Sequence, residues 1–289
     1  MAEQALACAM TLGRGLPADL VLFRAVSIPP DTREILDSAG LEAAALMEQL
    51  EVEANDYLGK VAGQLQGAGL SIRQVVRQGP AAEAIVDYAE QKDIQQIVMA
   101  THGYTGISRW THGSVAERVL QSASVPVLLV RAQEGELGAS REPMSCRRIL
   151  VPLDGSAVAE QVLPSATSIA QAFGAGMVLF QVPIVYVSGS LMGELYLPFR
   201  GVLETVEQDV QAYLDRVAYR LKEQGVNVST AMQIGAVAES IIGHAEANRI
   251  DLIAMCTHGR TGLGRWTLGS VADRVLRASS MPVLLVRAR

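Results

Sequence analysis

THGYTGISRWTHGSVAERVLQSASVPVLLVRA, running from Thr101 to Ala132, recurs as THGRTGLGRWTLGSVADRVLRASSMPVLLVRA from Thr257 to Ala288. Of the 32 aligned positions, 23 are identical, at a constant offset of 156 residues. A period this long makes each repeat a whole domain rather than one unit of a solenoid. Upstream the match loosens: Gly79 falls on Gly235, Gly69 on Gly225, and AEQAL (Ala2 to Leu6) on AEQVL (Ala159 to Leu163). The 289 residues therefore divide into a first domain, 1–132, a linker, 133–145, and a second domain, 146–289. The linker, QEGELGASREPMS, is polar and rich in Gly, Ser and Pro.

The second copy reads as alternating strands and helices. CRRILVPLD (Cys146 to Asp154) is a short apolar run ending in Asp-Gly-Ser, which suits a buried strand followed by a helix start. Helical spacing over Ala157 to Phe173 stops at Gly174, and MVLFQV (Met177 to Val182) is a second strand. An amphipathic helix over Leu203 to Glu223 closes at Gly225, as a C-terminal glycine cap does. Strand 226–234, helix 236–247, strand 250–256, helix 270–278 and strand 283–286 complete the expected order. Near-continuous apolar strands separated by helices imply a parallel sheet covered on both faces, an open, doubly wound α/β layer. Ligands of such layers bind beyond the carboxyl ends of the strands. Both copies end in an identical PVLLV strand (Pro126 to Val130, Pro282 to Val286). Two such edges can cover each other, so the halves are expected to join as an intrachain pseudo-dimer around a pseudo-twofold.

Composition narrows the classes of function. Hydrophobic residues make up 49% and charged residues 19%, the balance of a globular chain with ample core. With 24 Lys+Arg against 30 Asp+Glu, the net charge of −6 offers no basic footprint for nucleic acid. Three widely spaced cysteines, Cys8, Cys146 and Cys256, form no C-x-x-C pair and fit a reduced, cytoplasmic setting. The uncharged stretch Ala172 to Gly193 has the length of a membrane span. Gly174, Gly176, Pro183 and the Ser188-Gly189-Ser190 run break it, so it reads as a buried strand and a loop.

The strand-to-helix loop of each copy is the candidate for chemistry. In the second it runs from Met255 through Gly259 to Gly269-Ser270-Val271, with nine residues between the two glycines. Gly103, Gly113 and Ser114 hold the same spacing in the first copy. Gly259 can bring bare backbone against a ligand, and Gly269-Ser270 opens a helix whose free N–H groups favour a phosphate. The competing reading is a plain turn and an N-cap. Asp154 likewise divides between turn chemistry and a ligand role. His102 and His258 read as structural, Cys256 as a small buried hydrophobe, and Arg109-Trp110 and Arg265-Trp266 as a cap over the loop. No Ser/His/Asp or Cys/His constellation is evident, and the nearby acids Glu117 and Asp273 sit on the outgoing helices.

These motifs make the chain resemble a tandem universal stress protein over nearly its whole length. The family signature is similar to G-x2-G-x9-G-[ST] after the fourth strand, with an aspartate ending the first. The resemblance implies ATP as ligand, with Asp154 holding ribose or adenine and Pro152 and Leu153 flanking the base. It implies backbone contacts from Val182, a pocket wall from Met255, and phosphates held by Gly259, Gly269, Ser270 and Val271. The first signature glycine is replaced by Cys256 here and by Ala100 in the other copy. A Mg²⁺ ion would accompany the nucleotide, and a homodimer of the whole chain is compatible with the resemblance.

The first copy lacks a counterpart of Arg147 to Ser156, because Ala2 already aligns with Ala159. In the family strand order, 3-2-1-4-5, the absent strand is the central one. Its absence is expected to leave strands 20–26 and 94–101 about 10 Å apart, twice the usual spacing. An upstream strand ending in Asp-Gly-Ser is the expected remedy, the rival being a degenerate first domain that closes the gap some other way; direct pairing of 20–26 with 94–101 would refute the first. With no equivalent of Asp154, the first domain is the weaker nucleotide site. Three functions follow: an ATP-binding regulatory module of the stress response, a slow ATP hydrolase, or a scaffold that binds no nucleotide.

Overall fold

The computed structural model describes residues 2–39, 42–67, 69–101, 115–131, 144–183, 196–259 and 268–288. In the first half these form a 3-10 turn Ala2–Ala5, α1 Leu6–Gly15, β1 Leu20–Val26, α2 Pro30–Ser38, α3 Ala43–Gln64 and β2 Ile72–Gln78. α4 Ala81–Gln91, β3 Ile97–Thr101, α5 Val115–Ser122 and β4 Val127–Arg131 follow. The second half has β5 Arg148–Pro152, a 3-10 turn Ala159–Val162, α6 Leu163–Phe173, β6 Gly176–Gln181 and α7 Tyr196–Glu223. It ends with β7 Val228–Met232, α8 Val237–Ala247, β8 Leu252–Cys256, α9 Ser270–Ala278 and β9 Val283–Val286. The linker expected at 133–145 falls almost wholly outside the described residues, as does the part of the uncharged stretch after Pro183. Among the described residues no helix is long and apolar enough to cross a membrane.

Seven strands form one sheet in the order β3-β4-β9-β8-β5-β6-β7. The five strands of the second half run parallel to one another, with β5 between β8 and β6. Strand alternation sorts their side chains to two faces. Ile149, Val151, Met177, Leu179, Leu252 and Ala254 meet α6 and α7 on one side. Leu150, Val178, Phe180, Ile253 and Met255 meet α8 and α9 on the other. Helices therefore cover both faces. This explains why β8, LIAMC, is apolar without interruption and buried at all five positions.

The helix expected over Ala157 to Phe173 is divided. Pro164 stands at the start of α6 and cannot donate to the preceding turn, so residues 159–162 wind as a separate 3-10 turn. α6 stops at Gly174, in the left-handed region at φ 60°, and α7 is followed by Gly225 at φ 80°. Behind Gly225, the Val226 N–H donates to the Leu221 carbonyl at 3.1 Å, closing the helix end.

The two halves join through the PVLLV strands. β4 and β9 pair antiparallel, with Val127 opposite Leu285, Leu128 opposite Leu284 and Leu129 opposite Val283. Each of these six residues is at most 2% exposed, so the edges bury each other.

The first half does not build one sheet of its own. β1 and β2 pair in parallel as a separate two-stranded sheet, while β3 and β4 belong to the seven-stranded one. β1 does not pair with β3, and among the described residues no strand lies between them. A repeated side-chain tie survives this loss. The Tyr57 hydroxyl donates to Glu3 at 2.8 Å, and the Tyr213 hydroxyl donates to Glu160 at 3.1 Å. Each tie pins a 3-10 turn to the long helix of its half.

His244 stacks on Phe180 at 4.5 Å between centroids, where the first half has Tyr88 beside Phe23. Burial, aided by the Arg148 guanidinium, holds the imidazole below its ordinary value. On acidification the unfolded chain takes up this proton before the folded one. The associated stability is therefore full above about pH 6.5 and falls as pH drops toward the lower folded value. His244→Tyr, which copies the first half, is expected to flatten part of the fall in urea midpoint between pH 7.5 and 5.5. An unchanged fall would show that His244 does not contribute.

Candidate functional site

The site lies at the carboxyl ends of β5 and β8. β5 is buried on both sides, and beyond Pro152 the Leu153 N–H still donates to the Phe180 carbonyl at 2.8 Å. That bond extends the ladder by one residue and delivers Asp154 to the rim. Asp154 Oδ1 then accepts from the Ser156 N–H at 2.9 Å and from the Ser156 hydroxyl at 2.6 Å. The turn passes through Gly155 at φ 83°, a conformation that favours glycine. The Ser156 hydroxyl oxygen also accepts from the Ala159 N–H at 3.1 Å, so one carboxylate organises the entry into the next turn.

Gly259 faces this carboxylate. A β-carbon built on Gly259 would overlap Asp154 Oδ2 and lie 3.3 Å from its Cγ. The constraint is one of space, since no positive φ is involved, and a larger residue would have to displace the carboxylate. Gly269 is held more tightly, by backbone: a β-carbon there would lie 2.9 Å from the Thr257 carbonyl, which accepts the Gly269 N–H at 2.9 Å. The helix opens immediately afterwards. Its first intrahelical bond from this end runs from the Asp273 N–H to the Gly269 carbonyl at 2.9 Å, so the Ser270, Val271 and Ala272 N–H groups precede the ladder. Exposed Ser270 adds its hydroxyl at that end.

The side chains of the remaining candidates divide between the two cores. Val182, Met255 and Val271 pack on the side of α8 and α9, the side from which α9 presents its N-terminus. Leu153 and Cys256 turn into the opposite core, against α6 and α7. The Cys256 thiol points at the Ala159 carbonyl, 3.5 Å away, so its β-carbon leaves the loop backbone bare. Pro152 is half-buried at the end of β5. Gly103, Gly113 and Ser114 of the first half lie outside the described residues, as do His102 and both Arg-Trp pairs. Burial pushes all three thiols up: Cys8 and Cys256 to about 11 and Cys146 to about 12. All three are therefore protonated at neutral pH.

Thr257 and Ser156 organise the site without having been singled out in the sequence. Buried Thr257 donates its N–H to the Val286 carbonyl at 2.9 Å and accepts the Ala288 N–H on Oγ1 at 3.3 Å. The His258 ring nitrogen lies 3.0 Å from the same hydroxyl, which gives that histidine its structural place. The recurrence of Thr-His-Gly at Thr101 and Thr257 was the available signal. Among the described residues no group of three or more His, Cys, Asp or Glu side chains could hold a metal ion.

The chain is thus a tandem α/β protein whose halves meet in one seven-stranded sheet, with Gly259 against an aspartate and α9 opening at Gly269-Ser270. The family model described as "Universal stress protein family" matches residues 1–131 and again 145–287. The chain belongs to that family. It is 37% identical over 145 residues to a universal stress protein of Methanocaldococcus jannaschii, covering 49% of this chain and 82% of the relative. A Mycolicibacterium smegmatis universal stress protein is 25% identical over 260 residues, covering 90% of this chain and 82% of its own length. The crystal structure of an Archaeoglobus fulgidus universal stress protein superposes with a TM-score of 0.68 at 18% identity, covering 98% of this chain and 91% of that one, which shows the shared fold.

Proposed function

We propose that this chain is a cytoplasmic, ATP-binding regulatory module of the stress response, with its nucleotide site in the second half. One observation carries the reading: Asp154, at the end of the central strand, touches Gly259 across the loop that opens α9. A carboxylate is a hydrogen-bond acceptor suited to ribose hydroxyls, and unladdered N–H groups at a helix start are donors suited to phosphate oxygens. Val182 would offer backbone contacts to a base and Met255 a wall of its pocket on the α9 side, with Pro152 and Leu153 flanking it. Gly259, Gly269, Ser270 and Val271 would receive the phosphates, and Cys256 would contribute only backbone.

Mg²⁺ would arrive with the triphosphate, since the described side chains offer no preformed cation cage. The reading divides the chain into domains 1–132 and 146–289 joined by 133–145. It gives each half the doubly wound plan of five strands in the order 3-2-1-4-5, the first half without its first strand. Nucleotide occupancy would then change a surface that partners or a second copy read.

Calorimetric titration with ATP-Mg tests the proposal. The wild-type chain is expected to bind one ATP tightly, and Asp154→Ala to weaken binding at least tenfold, about 1.4 kcal/mol. Absence of heat at millimolar ATP, or equal affinity in Asp154→Ala, would refute it.

A further inference from the structure

Two of the three buried cysteines meet a third sulfur where the halves join. Cys8 lies on α1, and Cys146 stands two residues before β5. The segment leading into β5 is fastened to α1 at two points. The Met144 N–H donates to Thr11 Oγ1 at 2.9 Å, and the Cys8 thiol points at Met144 Sδ, 3.2 Å away. Cys8 and Thr11 are three residues apart, so they share one side of the helix. Cys8 and Leu12 are the buried residues of α1 that enter the core against α6 and α7.

Cys146 completes the group. Residues 144–146 lead into β5 outside any helix, and along an extended chain side chains two apart point the same way. Cys146 is buried in the same core as Cys8. Its thiol is pushed up to about 12 by burial first, then by Asp251 and by Cys8, so the two thiols lie within reach of each other's charge. The Asp251 carboxylate is engaged with backbone, where Oδ2 accepts the Arg147 and Arg148 N–H groups at 2.7 and 2.9 Å. Cys256 points at the Ala159 carbonyl instead. The donors gathered here are two thiols and one thioether.

Such a set is selective. Thiolate and thioether sulfur are soft ligands that favour Cu(I) over harder cations. Two metal–sulfur bonds of about 2.3 Å at a trigonal angle hold their sulfurs about 4 Å apart. The Cys8–Met144 separation of 3.2 Å is short of that by about 0.8 Å, which rotation of the flexible Met144 side chain supplies.

We propose that Cys8, Met144 and Cys146 form a binding site for one Cu(I) ion, which ties α1 of the first half to the segment that opens β5 of the second. Binding breaks both S–H bonds and releases two protons to solvent. Two thiolate–copper bonds and one dative bond from the thioether form, and no atom changes oxidation state. Burial keeps both thiols protonated at neutral pH, so only a strongly thiophilic cation displaces the protons. The inference is independent of the nucleotide reading.

The test titrates the full chain, reduced and under argon, into Cu(I) held by the coloured chelator bicinchoninate. The chain is expected to withdraw one Cu(I), and X-ray absorption of the loaded wild type to show sulfur alone at about 2.3 Å. Cys8→Ser and Cys146→Ser should each weaken binding about a hundredfold or more, and Met144→Leu about tenfold. Urea midpoints of the copper-free variants separate a lost ligand from lost folding, and the wild-type spectrum needs no variant at all. Four results would overturn the proposal: no copper withdrawn, oxygen or nitrogen among its ligands, undiminished binding by either serine variant, or Met144→Leu binding as tightly as wild type.

Discussion

Leu128→Ala is expected to lower the unfolding free energy by about 3 kcal/mol, within the range of about 2–5 for a buried leucine. Leu128 and its cross-strand partner Leu284 are both 0% exposed, at the centre of the antiparallel seam that joins the halves. The Leu128 side chain enters the same core as Ile149, Leu179 and Leu252, so its removal leaves a cavity between two repeats rather than within one. Leu284→Ala should cost a similar amount, and the double substitution should fall short of the sum, because both methyl groups line one cavity. Urea unfolding at constant slope reads these values directly. A loss below about 1 kcal/mol would mean that the seam is loosely packed.

The seam's position also predicts how the protein comes apart. Seven strands share one ladder, whereas β1 and β2 form a pair that packs chiefly on Leu58, Val61 and Leu65 of α3 and the turn after it. Two-stranded sheets are marginal by themselves, so this pair should open first. Leu58→Ala in that smaller cluster should affect the region from Leu20 to Gln78 while leaving the seam protected from amide exchange.

Much of this arrangement was legible in the sequence, for identifiable reasons. The repeat gave the number of domains because 23 identical positions over 32 leave no other alignment. Long apolar runs such as LIAMC announce strands buried on both faces, and the duplicated PVLLV announced the seam. The gap in the first half was legible as a missing counterpart of Arg147 to Ser156, and β1 and β3 indeed do not pair. What the sequence could not show was where each side chain points. Cys256 stands beside Met255 in the chain, yet strand alternation sends it to the opposite core, where Leu153 also lies. The anchoring of the loop by Thr257 depends on Val286 and Ala288, residues about thirty positions away that only the sheet brings near. The consequence of Cys256 at a signature glycine was similarly hidden, because it depends on the direction of one β-carbon.

Gly259→Val is expected to abolish measurable ATP binding, a larger loss than Asp154→Ala gives, because it disturbs both sides of the site at once. The added β-carbon overlaps the Asp154 carboxylate, and the loop has only two ways to relieve the overlap. If Asp154 swings away, it abandons the Ser156 N–H and hydroxyl at 2.9 and 2.6 Å and the turn into residues 159–162 loosens. If Asp154 holds, Gly259 must retreat from the position it takes against the carboxylate. The first route costs about 1–3 kcal/mol of stability through the lost hydrogen bonds, and the second costs affinity. Gly259→Ala examined with and without Asp154→Ala separates them. Shortening the aspartate removes the overlap, so stability should recover in the double variant while ATP binding stays weak. Recovery of binding would instead mean that Asp154 obstructs the nucleotide rather than holding it. Gly259→Val with wild-type affinity would show that the loop backbone does not approach the ligand at all.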